Sequence, residues 1–552
     1  MIRVLALAAA VVVARAGAAS SVGPDPNQQA QADGCARKTS ELVTQQVPTW
    51  VYVNDRDFPA SGPAPSPQWV KGVLAPTRGT RWYAVHPAAV DDPPTHDSFD
   101  VVQNILPDTA FAGLLAGDEA AGTGNFEGAR EGTGRLHTEL EQQAFPAFAW
   151  PEQGNRVEVL GSWVWDCGHW TPGGERTEFH PFRALWVDRG VSPRSPYGET
   201  EGDLLLTTAK TQAGKQADCA HKAKGSSLAF RACLAVEPNW QSVDGSYRFT
   251  LRAPPRPSAG ARLRVRVVDA GSTAGGPRVA VRAGAGSATV SVTVAGTPGQ
   301  RLVVAKRVYV GWSPMPAAAL PLHLRLTSER LLVRRAMDPG CPNGVPGCPS
   351  VETTKGGQIT ASPGEWSLYT DVAGIWSPWR PGVLLARDGQ TVKLSRVVDF
   401  YVRHGKRWRL FVFARECDFG SLSASDPRRP PAPCPKSREL GDLSGDDTPG
   451  SVLDEYRSPA GSLGRHSSNS KLVPSTCPTS NRAGCYRLTY SVRLVDDAAA
   501  RAGTQLGTIV SGTRARERRD DADDADQAGH EGRQGSDHQA GGRGRGRNPA
   551  AG

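Results

Sequence analysis

Apolar and polar residues alternate at period two over short stretches of this chain, and the stretches fall into three groups. The first contains "TWVYV" (49–53), "RWYAV" (81–85), "RLHTELE" (135–141), "RVEVLGSWVWD" (156–166) and "EFHPFRALWV" (178–187). Side chains on a strand point alternately to opposite faces, so each stretch predicts a strand with one buried face. The second group fills 246–312 at short, regular spacing: "SYRFTLRA", "ARLRVRVVDA", "RVAVRAG", "SATVSVTVAG" and "RLVVAKRVYVGW". The third follows the break "PMPAAALP" (314–321) and contains "LHLRLTSERLLVRRA", "GEWSLYTDVAGIW", "VVDFYVRHGKRWRLFVFAREC" and "CYRLTYSVRLV". A helical turn or two is expected at "PDTAFAGLLAGDEAA" (107–121), where Ala110, Leu114 and Leu115 fall at helical spacing.

The expected fold class is therefore all-β. A β-domain of barrel type covers 46–190, a turn-rich linker covers 189–203, and two β-sandwiches cover 204–320 and 321–496. Composition supports this: 61 Gly and 44 Pro spread over 552 residues disfavour long helices and suit short strands joined by turns. The length also fits roughly one domain per 150 residues.

The two ends read differently. "MIRVLALAAAVVVARAGAAS" has a basic Arg3, an apolar run over 4–14 and small residues at Ala16-Gly17-Ala18, the pattern of a secretory signal peptide over 1–19. That run is too short to span a bilayer, and no later segment is apolar enough, so the expectation is a secreted, extracytoplasmic chain with no transmembrane segment. Residues 499–552 mix charge blocks with Gly and have no apolar period, which predicts a disordered C-terminal tail. The net charge of +9 comes from Arg sown evenly through the chain, with no basic stripe interleaved with aromatics, so it gives no strong nucleic-acid signal.

Ten cysteines, an even number, suit an exported protein with disulfides. Several bracket turn-like loops: Cys341 with Cys348, Cys477 with Cys485, Cys219 with Cys233, and Cys417 with Cys434. Nearest-neighbour pairing leaves Cys35 with Cys167.

The candidate chemistry lies in the first domain, which holds five of the eleven histidines: His86, His96, His137, His169 and His180. If "GSWVWDCGHW" and "RTEFHPF" are arms of a hairpin closed by "TPGGE", pairing Trp170 with Thr177 sets His169 opposite Glu178 and Cys167 opposite His180. In "RLHTELE", His137, Glu139 and Glu141 share the face opposite Leu136 and Leu140. Imidazole plus carboxylate is the ligand set of zinc and similar divalent metals. His169, Glu178 and His180 would supply three ligands, with His137 or Glu139 as a fourth ligand or a base. The competing reading is a structural polar cluster of ordinary cross-strand pairs. Trp163, Trp165, Trp170 and Trp186 likewise suit either an aromatic platform or core. The chain has no G-x-S-x-G elbow, no H-E-x-x-H and no Walker loop.

"RVEVLGSWVWDCGHW" followed by "RTEFHP" resembles a W-V/I-x-D-x-G-H … T-E-I-H-P signature of a family of exported bacterial proteins, over about residues 90–190. Phe179 departs from the usual aliphatic residue. The resemblance implies that His96, Asp97, His137, Glu139, Glu141, Asp166, His169, Glu178 and His180 form one motif set, and it implies no activity. "GNRVEVLGSW" and its returning strand resemble the closing strands of an OB-type barrel, and "GEWSLYTDVAGIW" is similar to a C2-type module. The functional expectation is a non-catalytic binding protein of the cell envelope or extracellular space, with an extracellular ligand. The alternatives are a metal-dependent hydrolase with Glu139 as base, and peripheral membrane or glycan contact by the sandwiches.

Overall fold

The computed structural model describes residues 48–53, 67–75, 85–86, 100–127, 133–141, 145–171, 174–273, 277–297, 302–335, 364–378, 384–416, 450–471 and 485–496. The chain divides into two units, residues 1–502 and 503–552, and every described residue lies in the first. The expected signal peptide and C-terminal tail lie outside the described residues. Most described residues are in strands, as the alternating pattern predicts.

The N-terminal strands are β1 (Trp50–Tyr52), β2 (Gln68–Ala75), β3 (Val85–His86), β4 (Asp100–Pro107), β5 (Leu136–Glu141), β6 (Arg156–Thr171) and β7 (Gly174–Val191). Five of them close into a ring: β2 pairs with β4, β4 with β5, β5 with β7, β7 with β6, and β6 with β2. Only the β5–β7 pairing is parallel. Counted in chain order within the ring, the strands run 1-2-3-5-4 and back to 1, the Greek-key closure of an OB-type barrel. β1 adds to β6 and β3 to β4 outside the ring. Alternate residues fill the interior, among them Val70, Ile105, Leu136, Leu140, Val159, Trp163, Trp165 and Phe179. At Gly72 the strands approach so closely that a Cβ would lie 2.2 Å from the Leu106 carbonyl oxygen. The segment expected to turn helical forms a 3-10 helix, Thr109–Leu114, which buries Phe111 and Leu114.

The next strands are β8 (Thr200–Thr207), β9 (Gly245–Arg252), β10 (Arg262–Asp269), β11 (Val279–Ala283), β12 (Ser287–Val294) and β13 (Val303–Ser313). β8 pairs with β7, β13 with β8, and β10 with β13, so the barrel sheet continues through the segment expected to separate two domains. A three-stranded sheet of β11, β12 and β9 packs on that extension around Trp186, Leu204, Phe249 and Val290. The sandwich expected over 204–320 thus borrows one of its layers from the barrel. Two helices stand between β8 and β9, where strand periodicity predicts nothing: α1 (Gln212–Ala223) and α2 (Ser227–Val236).

The remaining strands are β14 (Leu322–Val333), β15 (Gly364–Val372), β16 (Ile375–Pro378), β17 (Leu384–Ala386), β18 (Thr391–Lys393), β19 (Val397–Val402), β20 (Trp408–Glu416), β21 (Gly450–Tyr456), β22 (Gly464–Asn469) and β23 (Tyr486–Asp496). They form two five-stranded sheets around a core that includes Leu326, Trp366, Val412 and Tyr486. This sandwich joins the barrel through an aromatic contact and an ionic one. Trp150 packs on Tyr369 and Trp376, with ring centroids 5.9 and 5.5 Å away. Arg409 Nη2 lies 3.1 Å from Glu152 Oε1, and Arg194 Nη2 donates to the Gly374 carbonyl at 3.4 Å.

Cys219 and Cys233 form the expected disulfide. Cys167 and Cys485 each belong to a further disulfide, not to one with each other, and no described cysteine is free. The other expected pairings involve Cys35, Cys341, Cys348, Cys417, Cys434 and Cys477, which lie outside the described residues. No described helix is long and apolar enough to cross a membrane.

Candidate metal centre

The alternation that fills the barrel also decides what its outer face carries. On β5, Leu136, Thr138 and Leu140 point inward, which leaves His137 and Glu139 outside. On β7, Thr177 and Phe179 are the inward residues and Glu178 and His180 the outward ones. The parallel register sets His137 beside Glu178. On β4, Asn104 lies opposite His137. Three ring strands therefore bring two histidines, two glutamates and an amide to one patch of outer surface. Exposure falls to 8% for His137, 3% for Glu139, 1% for Glu178 and 0% for His180.

The contacts are those of a converging set. One ligand-type atom each from His137, Glu139 and Glu178 lies within 4.8 Å of the others. His137 Nε2 touches Glu139 Oε1 at short range, and His137 Nδ1 lies 2.9 Å from Asn104 Oδ1. With Asn104 Oδ1 accepting from Nδ1, Nε2 is the ring nitrogen that faces the carboxylate oxygen. That contact needs a proton or a cation between the two atoms. His180 Nδ1 lies 3.5 Å from Glu139 Oε2 and 3.3 Å from Glu178 Oε1. Trp50 Nε1, from β1, donates to Glu178 Oε1 at 2.7 Å, and its ring meets His180 edge-on.

Charge is unevenly distributed here. Arg176 Nε donates to Asp166 Oδ2 at 2.7 Å, which largely commits this guanidinium to the third acid. Burial pushes the Glu139 carboxyl up, but His137, His180 and Arg176 outweigh it and hold the group below the ordinary carboxylate range. For Glu178, burial comes first and the Asp166 and Glu139 charges add to it, so its carboxyl is raised. The cluster thus resists a second uncompensated carboxylate, the situation that a bound divalent cation relieves.

Several sequence expectations change. The β6–β7 register sets Val164, not His169, opposite Glu178, and Trp165 opposite Thr177. Between the Asp166–Arg176 and Thr171–Gly174 pairs, β6 advances five residues and β7 only two. This bulge inverts the parity that a regular hairpin would have. Cys167 consequently faces the barrel core with Trp163 and Trp165, away from Glu178 and His180. The side chains of His169, Glu141 and Trp170 lie outside what the structure describes, as do His96 and Asp97. Trp163, Trp165 and Trp186 are core residues at 3%, 6% and 1% exposure, so they form no ligand platform. Sequence reasoning missed Trp50 and Asn104. A polar Asn beside Gln103 in an apolar strand, one on each face, was the available signal.

A second group, Cys219, Cys233 and Glu237, also has metal-ligand spacing, but its two sulfurs are spent in the disulfide.

No protein-family model and no curated protein matches this chain. Among solved structures, human GIVD cytosolic phospholipase A2 is similar over 78% of this chain and 33% of that one, at 8% identity and a TM-score of 0.15. The chain thus spans about a third of that enzyme's length. The SMP domain and two C2 domains of extended synaptotagmin 2 are similar over 77% of this chain and 89% of that one, at 8% identity and a TM-score of 0.17. Neither likeness at this level bears on the fold or the function.

Proposed function

We propose that the chain is an exported, non-catalytic binding protein whose N-terminal barrel is organised by a divalent cation. His137, Glu139 and Glu178 hold the ion, and His180 is the fourth group beside them. The observation that carries this reading is the convergence of these side chains on the barrel's outer face, where one ligand-type atom each from His137, Glu139 and Glu178 lies within 4.8 Å of the others. Imidazole with carboxylate suits zinc or a similar ion. Export accords with the signal-like N-terminus and the disulfides.

Burial favours binding over hydrolysis. A catalytic metal keeps a position open for water and substrate, whereas a structural one is closed by protein. All four groups here are at most 8% exposed. The cluster also lies on ring strands two, three and five, next to the strand 2–3 face by which OB-type barrels take oligomeric ligands. A cation there would fix that face.

Thermal unfolding of the chelator-treated chain, with and without added Zn2+ or Mn2+, tests the reading alongside turnover assays on ester, phosphoester and peptide substrates. The reading expects a cation-dependent rise in Tm that His137→Ala removes, and no turnover. Turnover lost in Glu139→Gln would overturn it in favour of a hydrolase.

A further inference from the structure

The helical hairpin between β8 and β9 presents an apolar surface that the fold does not cover. α2 buries Phe230 against the body of the protein. On the opposite side, Leu228, Ala229, Ala232, Ala235 and Val236 are all exposed, Leu228 at 72% and Val236 at 80%. At 3.6 residues per turn these five fall within an arc of about 120°. They form a continuous stripe, and Leu228 and Val236 are the most exposed large apolar side chains among the described residues. Lys224 and Gly225 turn the chain in left-handed conformations, Ser226 caps α2 by accepting from the Ala229 N–H at 3.2 Å, and the Cys219–Cys233 disulfide ties the helices together. The stripe is thus held rigidly at the surface.

Charge selects its partner. From Lys222 to Glu237, every exposed charged residue is basic: Lys222, Lys224 and Arg231. The two acids of the hairpin are turned inward. Asp218 holds Lys210 and the Tyr52 hydroxyl, and Glu237 holds Lys210 and Lys222. An apolar helix face whose own exposed charged neighbours on the hairpin are basic matches the interface of an anionic bilayer, where the apolar residues reach the acyl boundary and the cations meet the headgroups.

We propose that the α1–α2 hairpin docks this protein on anionic membrane surfaces, with Leu228 and Val236 inserted and Lys224 and Arg231 on the lipid phosphates. The proposal is independent of any cation in the barrel. It is tested by co-sedimentation of the purified full chain with vesicles of phosphatidylglycerol and phosphatidylcholine, against vesicles of phosphatidylcholine alone. Binding is expected to the first only, and to fall when NaCl is raised from about 0.1 M to about 0.5 M. Lys224→Glu with Arg231→Glu should lower the partition about 25-fold or more, since each basic residue near the surface contributes about fivefold. Leu228→Glu with Val236→Glu should abolish binding while circular dichroism and the disulfide stay unchanged, because both positions are exposed. No binding to either vesicle, equal binding to both, or insensitivity to salt overturns the proposal without recourse to a variant. A change from dimer to monomer in the Leu228/Val236 variant would assign the stripe to self-association and also overturn it.

Discussion

Arg189→Met tests whether the acids between the barrel and the last sandwich depend on buried counter-charge. The Arg189 side chain is 3% exposed, and its Nε contacts Asp203 Oδ2 and lies 3.6 Å from Glu201 Oε1. Its Nη2 donates to the carbonyls of Phe148 at 2.7 Å and Trp150 at 2.9 Å. Methionine fills much of the volume but takes one buried counter-charge from two fully buried carboxylates and a donor from two carbonyls. Removing one side of a buried ion pair costs about 3–5 kcal/mol. Arg194, 2.6 Å from Glu201, and Arg307, 3.2 Å from Asp203, remain and hold the loss near the lower end. With a urea slope of about 3 kcal/mol/M, a loss of about 3 kcal/mol moves the unfolding midpoint down by about 1 M. Tryptophan fluorescence during urea unfolding of the full chain reads this. Adding Asp203→Asn to the variant should recover part of the loss, because one buried charge is gone. A midpoint shift below about 0.3 M would refute the reasoning, as would a wild-type midpoint that 0.5 M NaCl lowers equally, since buried pairs are poorly screened.

Two further outcomes follow from the packing. Burial, then the neighbouring Glu152 carboxylate, holds the Asp371 carboxyl well above its ordinary range. The fold therefore prefers the protonated form, whose contribution is complete below the unfolded pKa of about 3.9 and is lost as pH rises through the raised folded value. Asp371→Asn keeps a neutral donor and the acceptor for the Gly374 N–H, so the wild type should lose Tm relative to this variant on going from pH 4 to pH 8. A constant difference across that range would contradict the assignment. Gly72→Ala places a methyl against the Leu106 backbone oxygen, which cannot rotate away. It should destabilise the barrel by about 2 kcal/mol or more by forcing β2 from β4, and an unchanged urea midpoint would show that these strands separate easily.

How much was legible in the sequence depends on whether the deciding physics was local. Alternation in "RLHTELE" placed His137 and Glu139 together opposite two leucines, because one inward residue fixes every other residue on a strand. It could not place "GSWVWDCGHW" against "RTEFHPF", because three extra residues near the hairpin tip invert the parity of the pair. His169 was expected opposite Glu178 because the assumed Trp170–Thr177 pairing also missed the register at the tip, where Thr171 meets Gly174. The parallel pairing of β5 with β7, which brings His137 to Glu178, is a closure contact between strands about 40 residues apart and leaves no local trace. The continuity of the barrel sheet into β8 and β13 is hidden in the same way, since a turn-rich linker looks the same whether its flanking strands pair or part. The helices over 212–236 had a usable signal in Ala213, Ala217 and Ala220 and in the Ser226 cap, but short Ala-rich segments bury little.

The central claim is that His137, Glu139, Glu178 and His180 are gathered by the barrel to hold one divalent ion. The most direct test is elemental analysis of the full chain purified without chelator, beside Glu178→Gln and His137→Ala prepared identically. The account predicts about one divalent ion per wild-type chain, lost in both variants while the Cys219–Cys233 disulfide is retained. A metal-free wild type that stays metal-free after incubation with Zn2+ or Mn2+, or a metal content that neither substitution changes, would contradict it.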